Sequence, residues 1–329
     1  DQAIVHYRHA FLADPTNTNA LTRLGDASVD ASEFRDADWY YEQALAIQPD
    51  SLEAIRGLGR VHYLKGFFAN AEKSFRRALT LAPDDVSTRV NLANTLVATN
   101  RPEEAITLFG ELVQQQPNLA HAWYGLGLAL HQQNRLDQSM AALTRSAEVD
   151  KFFFSEIAHA AKFAEIACER GQQQAARRNH KAALASFAQA AKILPTHAAA
   201  YAESGHVWLA AGDRTRAVRA YKKACSLNTS DWSVWNNLAW LLATQQNITS
   251  ESAHDAEGAA RHAVDLEPER ASSHDTLAAA LASNGKFKEA TQAAEKAIEL
   301  TRQENPNADV RRIHRRIELY RAEKRFVEP

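Results

Sequence analysis

The chain has 329 residues, of which 45% are hydrophobic and 24% are charged, a balance typical of globular proteins. A net charge of −2 argues against nucleic-acid partners, which require a strong positive field. Two cysteines are too few for a disulfide framework, and no run of about 18 apolar residues occurs, so we expect no membrane insertion of this segment.

Residues 1–17 predict one helix followed by a break. Ala3, Tyr7 and Ala10 share one helical face, and Pro15 ends the helix. The same pattern recurs downstream as the second helix of a two-helix unit. We therefore interpret 1–17 as a half-repeat that contains only the second helix, and we expect the sequence to be a segment of a longer protein.

Residues 18–153 predict four two-helix repeats. Prolines recur every 34 residues, and so do a small residue in each first helix and an aromatic or leucine in each second helix. These three sets are Pro15, Pro49, Pro83 and Pro117; Gly25, Gly59, Ala93 and Gly127; and Tyr41, Phe75, Phe109 and Leu143. A fixed period of helix-turn-helix units predicts a solenoid.

The unit is clearest in residues 52–85. Gly66 lies between its two helices, where a residue with positive φ is needed. The conserved places of the unit are held by Leu58-Gly59, Ala71, Phe75, Ala78 and Pro83. With these residues in phase, the chain resembles the tetratricopeptide repeat family. The resemblance implies an all-α fold, an α-α superhelix of about eight repeats with an N-terminal half-repeat and a C-terminal capping helix.

Residues 154–231 predict the fifth and sixth repeats. The interval from Gly127 to Gly171 is ten residues longer than one period, so we expect a lengthened first helix near 154–178. Regular spacing resumes with Phe187 and Tyr221 at the aromatic place.

Residues 232–304 predict the seventh and eighth repeats. About five residues are inserted between the helices of the seventh, and their polar composition predicts a loop near 244–255. Residues 305–329 predict a capping helix and tail, with arginines covering the faces that the apolar stripe leaves open.

No catalytic motif occurs in the sequence. It contains no glycine-rich phosphate loop and no Cys-x-x-Cys or His-Glu-x-x-His spacing. We therefore expect no enzymatic activity, no cofactor and no metal.

Inward-facing positions of the first helices are the candidate binding site of such a solenoid. An N-terminal patch rich in cationic and amide groups comprises Arg23, Arg56, Arg60, Asn91 and Asn94. A second patch comprises His206, Asn236, Asn237 and Trp240, and Tyr124 and His131 lie between the two. Arginine and asparagine suit a carboxylate because they hold it by directed hydrogen bonds.

These observations favour a non-catalytic scaffold for protein–protein interaction that binds a peptide or protein segment in its concave groove, with an acidic or C-terminal ligand as the expected partner. One alternative is a structural segment that self-associates through an open N-terminal edge. Another is the substrate-recruiting arm of a larger enzyme, such as a glycosyltransferase. We expect a soluble segment of either a cytoplasmic or a periplasmic protein, and the sequence does not decide the compartment.

Overall fold

The computed structural model describes residues 2–227 and 230–328, with side chains from Ile4 onward. In these residues the chain forms nineteen α-helices and no strand, which confirms the all-α prediction. The helices divide into two compact units, residues 1–159 and 160–329, which are described separately. Within each unit the arrangement is that of an α-α superhelix.

The first unit contains a single helix, four two-helix repeats and one short helix. Each first helix of a repeat packs against its own second helix and against the next first helix, as α2 does with α4 and α4 with α6. The helices are α1 Gln2–Ala13, α2 Thr18–Asp30, α3 Phe34–Ile47, α4 Leu52–Leu64, α5 Phe68–Leu81, α6 Val86–Ala98, α7 Pro102–Gln115, α8 Ala120–Gln132, α9 Leu136–Val149 and α10 Lys151–Ser155.

The second unit begins within the first turn of α11 and contains the remaining helices. Helices that follow one another in the chain also pack together here, and the first helices α15 and α17 of successive repeats contact each other directly. The helices are α11 Ile157–Ala176, α12 His180–Ile193, α13 Ala198–Ala210, α14 Arg214–Ser226, α15 Trp232–Ala243, α16 Ser250–Leu266, α17 Ala271–Ser283, α18 Phe287–Glu304 and α19 Arg311–Arg321.

Side-chain caps fix where the first helices begin. Asn17, Ser51 and Asp85 are one period apart, and each accepts a hydrogen bond from the backbone N–H three residues later. Such a cap satisfies one of the donors that the first turn leaves open. The helix starts therefore follow the same period as the core residues.

A left-handed residue turns the chain between the two helices of nearly every repeat. Gly66 has φ 79°, as predicted, and Gly212 and Gly285 have φ 80° and 74° in the equivalent turns. Other repeats place different residues there: Ser32, Asn100, Asn134 and Arg178. Asparagine tolerates this conformation better than most residues, so the turn is kept although the residue changes.

Aromatic rings of the second helices lie directly against glycines of the first helices. A Cβ atom built on Gly25 would lie 2.7 Å from the ring of Tyr41, and one on Gly57 of the next repeat 2.3 Å from the same ring. Phe75 lies against Gly59 in the same way, at 2.6 Å. One buried ring thus joins its own repeat to the next, and it fits because both helices lack side chains there.

Hydroxyl groups take over part of this role in the fourth repeat, where Leu143 replaces the aromatic. Ser139 Oγ donates to the carbonyl oxygen of Gly127 at 2.7 Å, and Ser146 Oγ donates to that of Ala120 at 2.8 Å. Both serines are fully buried. These hydrogen bonds tie α9 to α8 across the close helix contact.

The region near 154–178, predicted to hold a lengthened first helix, contains α11, which has 20 residues where α8 has 13. Two helices occur, α10 and α11, separated by Glu156, whose backbone is extended with φ −61° and ψ 127°. Asp150 starts the short helix by accepting from the backbone N–H groups of Phe152 and Phe153 at 2.9 and 3.1 Å. Phe153 then packs against His121 of α8, at a ring separation of 4.2 Å, which holds α10 against the fourth repeat.

The inserted residues of the seventh repeat form a shorter loop than the predicted 244–255. Only residues 244–249 lie between α15 and α16, and Thr249 caps α16 by accepting from the N–H of Ser252 at 3.1 Å. The other inserted residues extend α16, which has 17 residues where α12 has 14.

The capping helix α19 packs on α18 through Ile317 and Tyr320, which are buried. Its arginines do not all face solvent as predicted. Arg316 is buried and holds the carboxylate of Asp275 on α17 in a two-pronged ion pair, with 3.0 Å between Arg316 Nε and Asp275 Oδ1. A planar guanidinium matches a carboxylate in this way, so the arginine serves as an anchor for the helix.

A buried carboxylate joins three elements of the second unit. Glu257 on α16 accepts from Lys286 Nζ at 2.8 Å, Asn284 Nδ2 at 2.7 Å and Arg261 Nη2 at 2.9 Å. Burial alone would raise the pKa of Glu257, but the hydrogen bonds from Lys286, Asn284 and Arg261 outweigh it and lower the pKa to about 2.

We expect Gly59→Leu to destabilise the first unit by about 3 kcal/mol or more, because any Cβ there overlaps the ring of Phe75. Gly110→Leu on α7 is the matched control, since nothing lies within 4 Å of a Cβ at that position. The control should be neutral or stabilising by up to about 1 kcal/mol through helix propensity. Chemical denaturation measures both, and equal effects would contradict the account of the close contact.

We expect Glu257→Gln to lower the free energy of unfolding by about 1–2 kcal/mol at neutral pH, since it removes the charge that three donors hold. A carboxyl with a lowered folded-state pKa stabilises the fold above its unfolded value of 4.5, and this contribution is lost as the pH falls toward 2. The wild-type chain should therefore lose stability relative to Glu257→Gln over that window. If the free energies of unfolding of the wild type and Glu257→Gln differ by the same amount at every pH from 2 to 7, the carboxylate is not held as described.

Candidate functional site

A cavity of about 840 Å³ lies on the first-helix side of the first unit. Four successive first helices, α2, α4, α6 and α8, contribute to its lining. Arg23 comes from α2, Arg56 and Arg60 from α4, Asn91 from α6 and His121 from α8. The cavity is therefore formed by the regular stacking of the repeats.

The three arginines of the predicted N-terminal patch all line this cavity, and each has one carboxylate partner. Arg56 Nη1 lies 3.5 Å from both oxygens of Asp85. Arg60 Nη2 lies 3.1 Å from Asp30, whose side chain is 73% exposed. These are long or solvent-exposed pairs, which contribute little to stability.

The first of the arginines is paired within its own helix. Arg23 Nη1 lies 3.5 Å from Asp26 Oδ2, and the other oxygen of Asp26 accepts from the hydroxyl of Tyr41 at 2.7 Å. The buried ring of Tyr41 thus carries the contact between repeats at one end and holds a carboxylate of the cavity at the other. The packing of the core positions this part of the site.

The cavity lining is close to electrically balanced. Three arginines and two carboxylates, Asp26 and Glu53, lie in the lining, and the partners Asp30 and Asp85 lie beside it, so these seven side chains together carry a net charge of −1. Burial acts to raise the pKa of Asp85, but hydrogen bonds from Thr88 and the Arg56 guanidinium outweigh it and leave that pKa below its ordinary value. Each guanidinium has five N–H donors, and the pairs engage Nη1 of Arg23 and Arg56 and Nη2 of Arg60.

The other predicted residues of the first unit lie outside the lining of this cavity. Asn94 is half-buried on α6 one turn beyond Asn91, and His131 is half-buried near the end of α8. Tyr124 packs against the aromatic residues around α10, with its ring 5.5 Å from Phe153 and 4.6 Å from His159. Tyr124 therefore belongs to an aromatic cluster that sequence spacing did not indicate.

The residues of the predicted second patch lie in the second unit, and Trp240 has different neighbours from His206 and Asn237. The ring of His206 lies edge-on to Tyr221 at 5.4 Å, and Asn237 Nδ2 lies 3.5 Å from the hydroxyl of Tyr221. Trp240 does not face an open groove as expected, because Phe326 and Glu328 of the same chain lie against it. No sequence pattern indicates this contact, since about ninety residues separate the partners and no repeat relates them.

Asn236 carries the one unmet polar atom of the second patch among the described residues. Its side-chain oxygen is buried and has no hydrogen-bond partner there. An unpaired buried acceptor costs free energy.

Neither a cluster of metal-ligating side chains nor a membrane-spanning helix occurs among the residues that the structure describes. No group of three or more His, Cys, Asp or Glu side chains within residues 2–227 and 230–328 is placed to hold a metal ion. Among the helices that the structure describes, none has the length and apolar character required to cross a membrane.

Comparison with known families finds the tetratricopeptide repeat at three places. One family model, described as tetratricopeptide repeat, matches residues 22–86 and 90–150, and a second of the same description matches residues 270–306. No curated protein matches the chain significantly.

Several solved structures have a similar fold. Pseudomonas aeruginosa PilF is 19% identical, with a TM-score of 0.48, and the match covers 64% of this chain and 91% of that one. YrrB, described as a tetratricopeptide repeat protein with an unusual peptide-binding site, is 21% identical, with a TM-score of 0.47 and coverage of 59% and 95%. A tetratricopeptide repeat protein from Parabacteroides merdae is 15% identical, with a TM-score of 0.47 and coverage of 80% and 98%.

The repeat period, the glycine-to-aromatic contacts and the family matches agree on one assignment. Proteins of this kind are generally scaffolds for protein–protein interaction. The chain belongs to the tetratricopeptide repeat family.

Proposed function

We propose that the chain is a non-catalytic scaffold that binds an acidic or C-terminal peptide segment in the cavity of the first unit. The observation that supports this is the meeting of Arg23, Arg56 and Arg60 in one cavity of about 840 Å³. A volume of this size accommodates several residues of an extended ligand. The convergent arginines are the groups that would orient it.

Recognition of a carboxylate would proceed by exchange of ion-pair partners. The partners of Arg56 and Arg60 are 3.5 and 3.1 Å away, and Asp30 is well exposed, so a ligand carboxylate competes with weak pairs. A bidentate contact with a guanidinium is shorter and stronger than those it replaces. Because the arginines and the nearby carboxylates almost cancel in charge, selectivity would depend on this geometry more than on bulk attraction.

The amide side chain of Asn91 complements the arginines. It lies on α6 in the same lining, and its amide group offers both donors and an acceptor. A peptide backbone presents both kinds of group, whereas a carboxylate presents acceptors only. The lining therefore suits a peptide that carries a carboxylate better than it suits a free anion.

We expect Arg56→Ala/Arg60→Ala to weaken the binding of acidic peptides by about a hundredfold or more, since each of the two lost charge-assisted contacts contributes about 1.5–3 kcal/mol. The probe is an array of heptapeptides, half with free C-terminal carboxylates and half amidated, followed by anisotropy titration of the tightest binder. Binding should also weaken as salt rises.

The matched control is Arg76→Ala/Arg145→Ala, which removes the same charge from second helices of the same unit. Both arginines are about half exposed and form surface pairs outside the cavity lining. Control and wild type should bind alike. Equal affinity in all three proteins, or no acidic peptide bound by the wild type, would remove the cavity from consideration.

A second candidate function is self-association through α1. Val5 and Leu12 are seven residues apart on one side of this helix and are 50% and 74% exposed. This helix packs on α2 and, through Phe11, on Trp39 and Tyr40 of α3, and its exposed apolar stripe is a surface that a second copy could cover.

If α1 mediates self-association, the wild type should sediment as a dimer or larger species at high protein concentration, and Val5→Asp/Leu12→Asp should be monomeric. Leu64→Asp/Leu81→Asp is the control, since both leucines are similarly exposed on other helices. A wild type that remains monomeric at every concentration would exclude this candidate and leave the peptide-binding proposal intact.

A further inference from the structure

The segment that follows α19 turns back along the second unit. Glu323 adopts a left-handed conformation with φ 52°, and the N–H of Lys324 donates to the carbonyl oxygen of Leu319 at 2.9 Å. Together with the bond from Glu323 N–H to the oxygen of Tyr320, this is a Schellman ending of the helix. It directs residues 324–328, here called the return segment, toward α15.

Glu328 makes the most polar contacts of the return segment. Its carboxylate pairs with the guanidinium of Arg214 and accepts from Trp240 Nε1 at 3.1 Å. Its backbone N–H donates to the carbonyl oxygen of Thr244 at 3.1 Å. Arg214 is in turn held by Thr244 Oγ1, at 2.9 Å, so the carboxylate enters a prepared set of donors.

Phe326 provides the apolar contact. Its ring lies 5.8 Å from that of Trp240, and the guanidinium carbon of Arg316 lies 5.5 Å from both ring centres. Arg316 is itself fixed by its buried pair with Asp275. The aromatic side chain is therefore received by a rigid aromatic and cationic surface.

Arg325 anchors the other end of the return segment. Its guanidinium donates to the backbone oxygens of Gln245 and Gln246, with 2.8 Å between Nη1 and the oxygen of Gln245. These carbonyls belong to the loop between α15 and α16, where the insertion of the seventh repeat leaves them outside a helix. The unusual length of that repeat thus supplies acceptors that a regular repeat would not.

We propose that this surface is a peptide site and that the return segment fills it in cis. The ligand class is an extended segment with an arginine, then an aromatic residue, then a carboxylate two places further on. Arg214, Trp240 and the two loop carbonyls would bind those three groups. The proposal involves other residues and another unit than the cavity of the first unit, so it does not rest on that function.

The contacts of the return segment are those of a removable ligand. One backbone hydrogen bond joins it to α15 and the following loop, and the side chains of Glu328 and Arg214 are each 37% exposed. If the return segment left, the Trp240 N–H and Arg214 Nη1 would lose the Glu328 carboxylate as their acceptor. A competing segment must therefore bring its own carboxylate, and it must overcome an intramolecular competitor whose effective concentration is on the order of millimolar.

The test uses the full chain with Phe326→Ala/Glu328→Ala, which should open the site. The probe is the fluorescein-labelled, C-terminally amidated peptide Ala-Glu-Lys-Arg-Phe-Val-Glu, which reproduces residues 322–328. The opened variant should bind it about tenfold or more tightly than wild type, as removal of the competitor predicts. Lys324→Ala, a change at an exposed residue of the same segment, should bind like wild type.

Two further measurements separate the site from a general effect of opening. Trp240→Phe in the opened background should reduce binding about tenfold, because it removes the N–H that the carboxylate accepts from. A probe with Phe and the last Glu both replaced by Ala should not bind. If circular dichroism shows that the opened variant is unfolded, the wild type replaces it and is titrated with the probe at millimolar concentration. Unlabelled peptide should then displace the probe, and the peptide with both Ala replacements should not.

Equal binding of the probe by wild type and the folded, opened variant would overturn the proposal, and so would unchanged binding after Trp240→Phe. A wild-type dimer that Phe326→Ala abolishes would also overturn it, since a second copy of the chain would then be the occupant.

Discussion

The contact between a second-helix aromatic ring and the glycines of the first helices is the constraint on which the first unit depends. Tyr41 lies against Gly25 and Gly57, so one side chain sets the distance both within a repeat and between repeats. Because the ring occupies the side of the first helices that faces the second, their opposite side remains open. The cavity that we propose as the binding site is a consequence of how the core is packed.

The same stacking explains the electrostatic character of the cavity. Arg56 pairs with Asp85 and Arg60 with Asp30, and each pair joins one repeat to a neighbouring one. Asp85 also caps α6, so its position is fixed by the helix start and not by the arginine. Guanidinium groups held by long or exposed pairs on a rigid frame can change partners without disturbing the fold.

The periodic features of this structure could be predicted from the sequence, and the features without a period could not. The places of Gly66 and Phe75 recur at fixed intervals, and the residue types found at a recurring place indicate the environment that each of them occupies. The break at Glu156 depends on Phe153 meeting His121, and the burial of Arg316 depends on Asp275, more than one period away. Phe326 and Glu328 cover Trp240 because a turn at Glu323 directs this non-repeating segment toward α15. Spacing alone does not encode such contacts, because each is made only once.

We propose that the first helices of the first unit bind the ligand while the second helices form the core. Hydrogen–deuterium exchange of the full chain, with and without a saturating acidic peptide, tests this most directly. We expect added protection in α2, α4 and α6, with α3, α5 and α7 unchanged. Protection that appears on the second helices instead, or that is spread evenly over both, would contradict it.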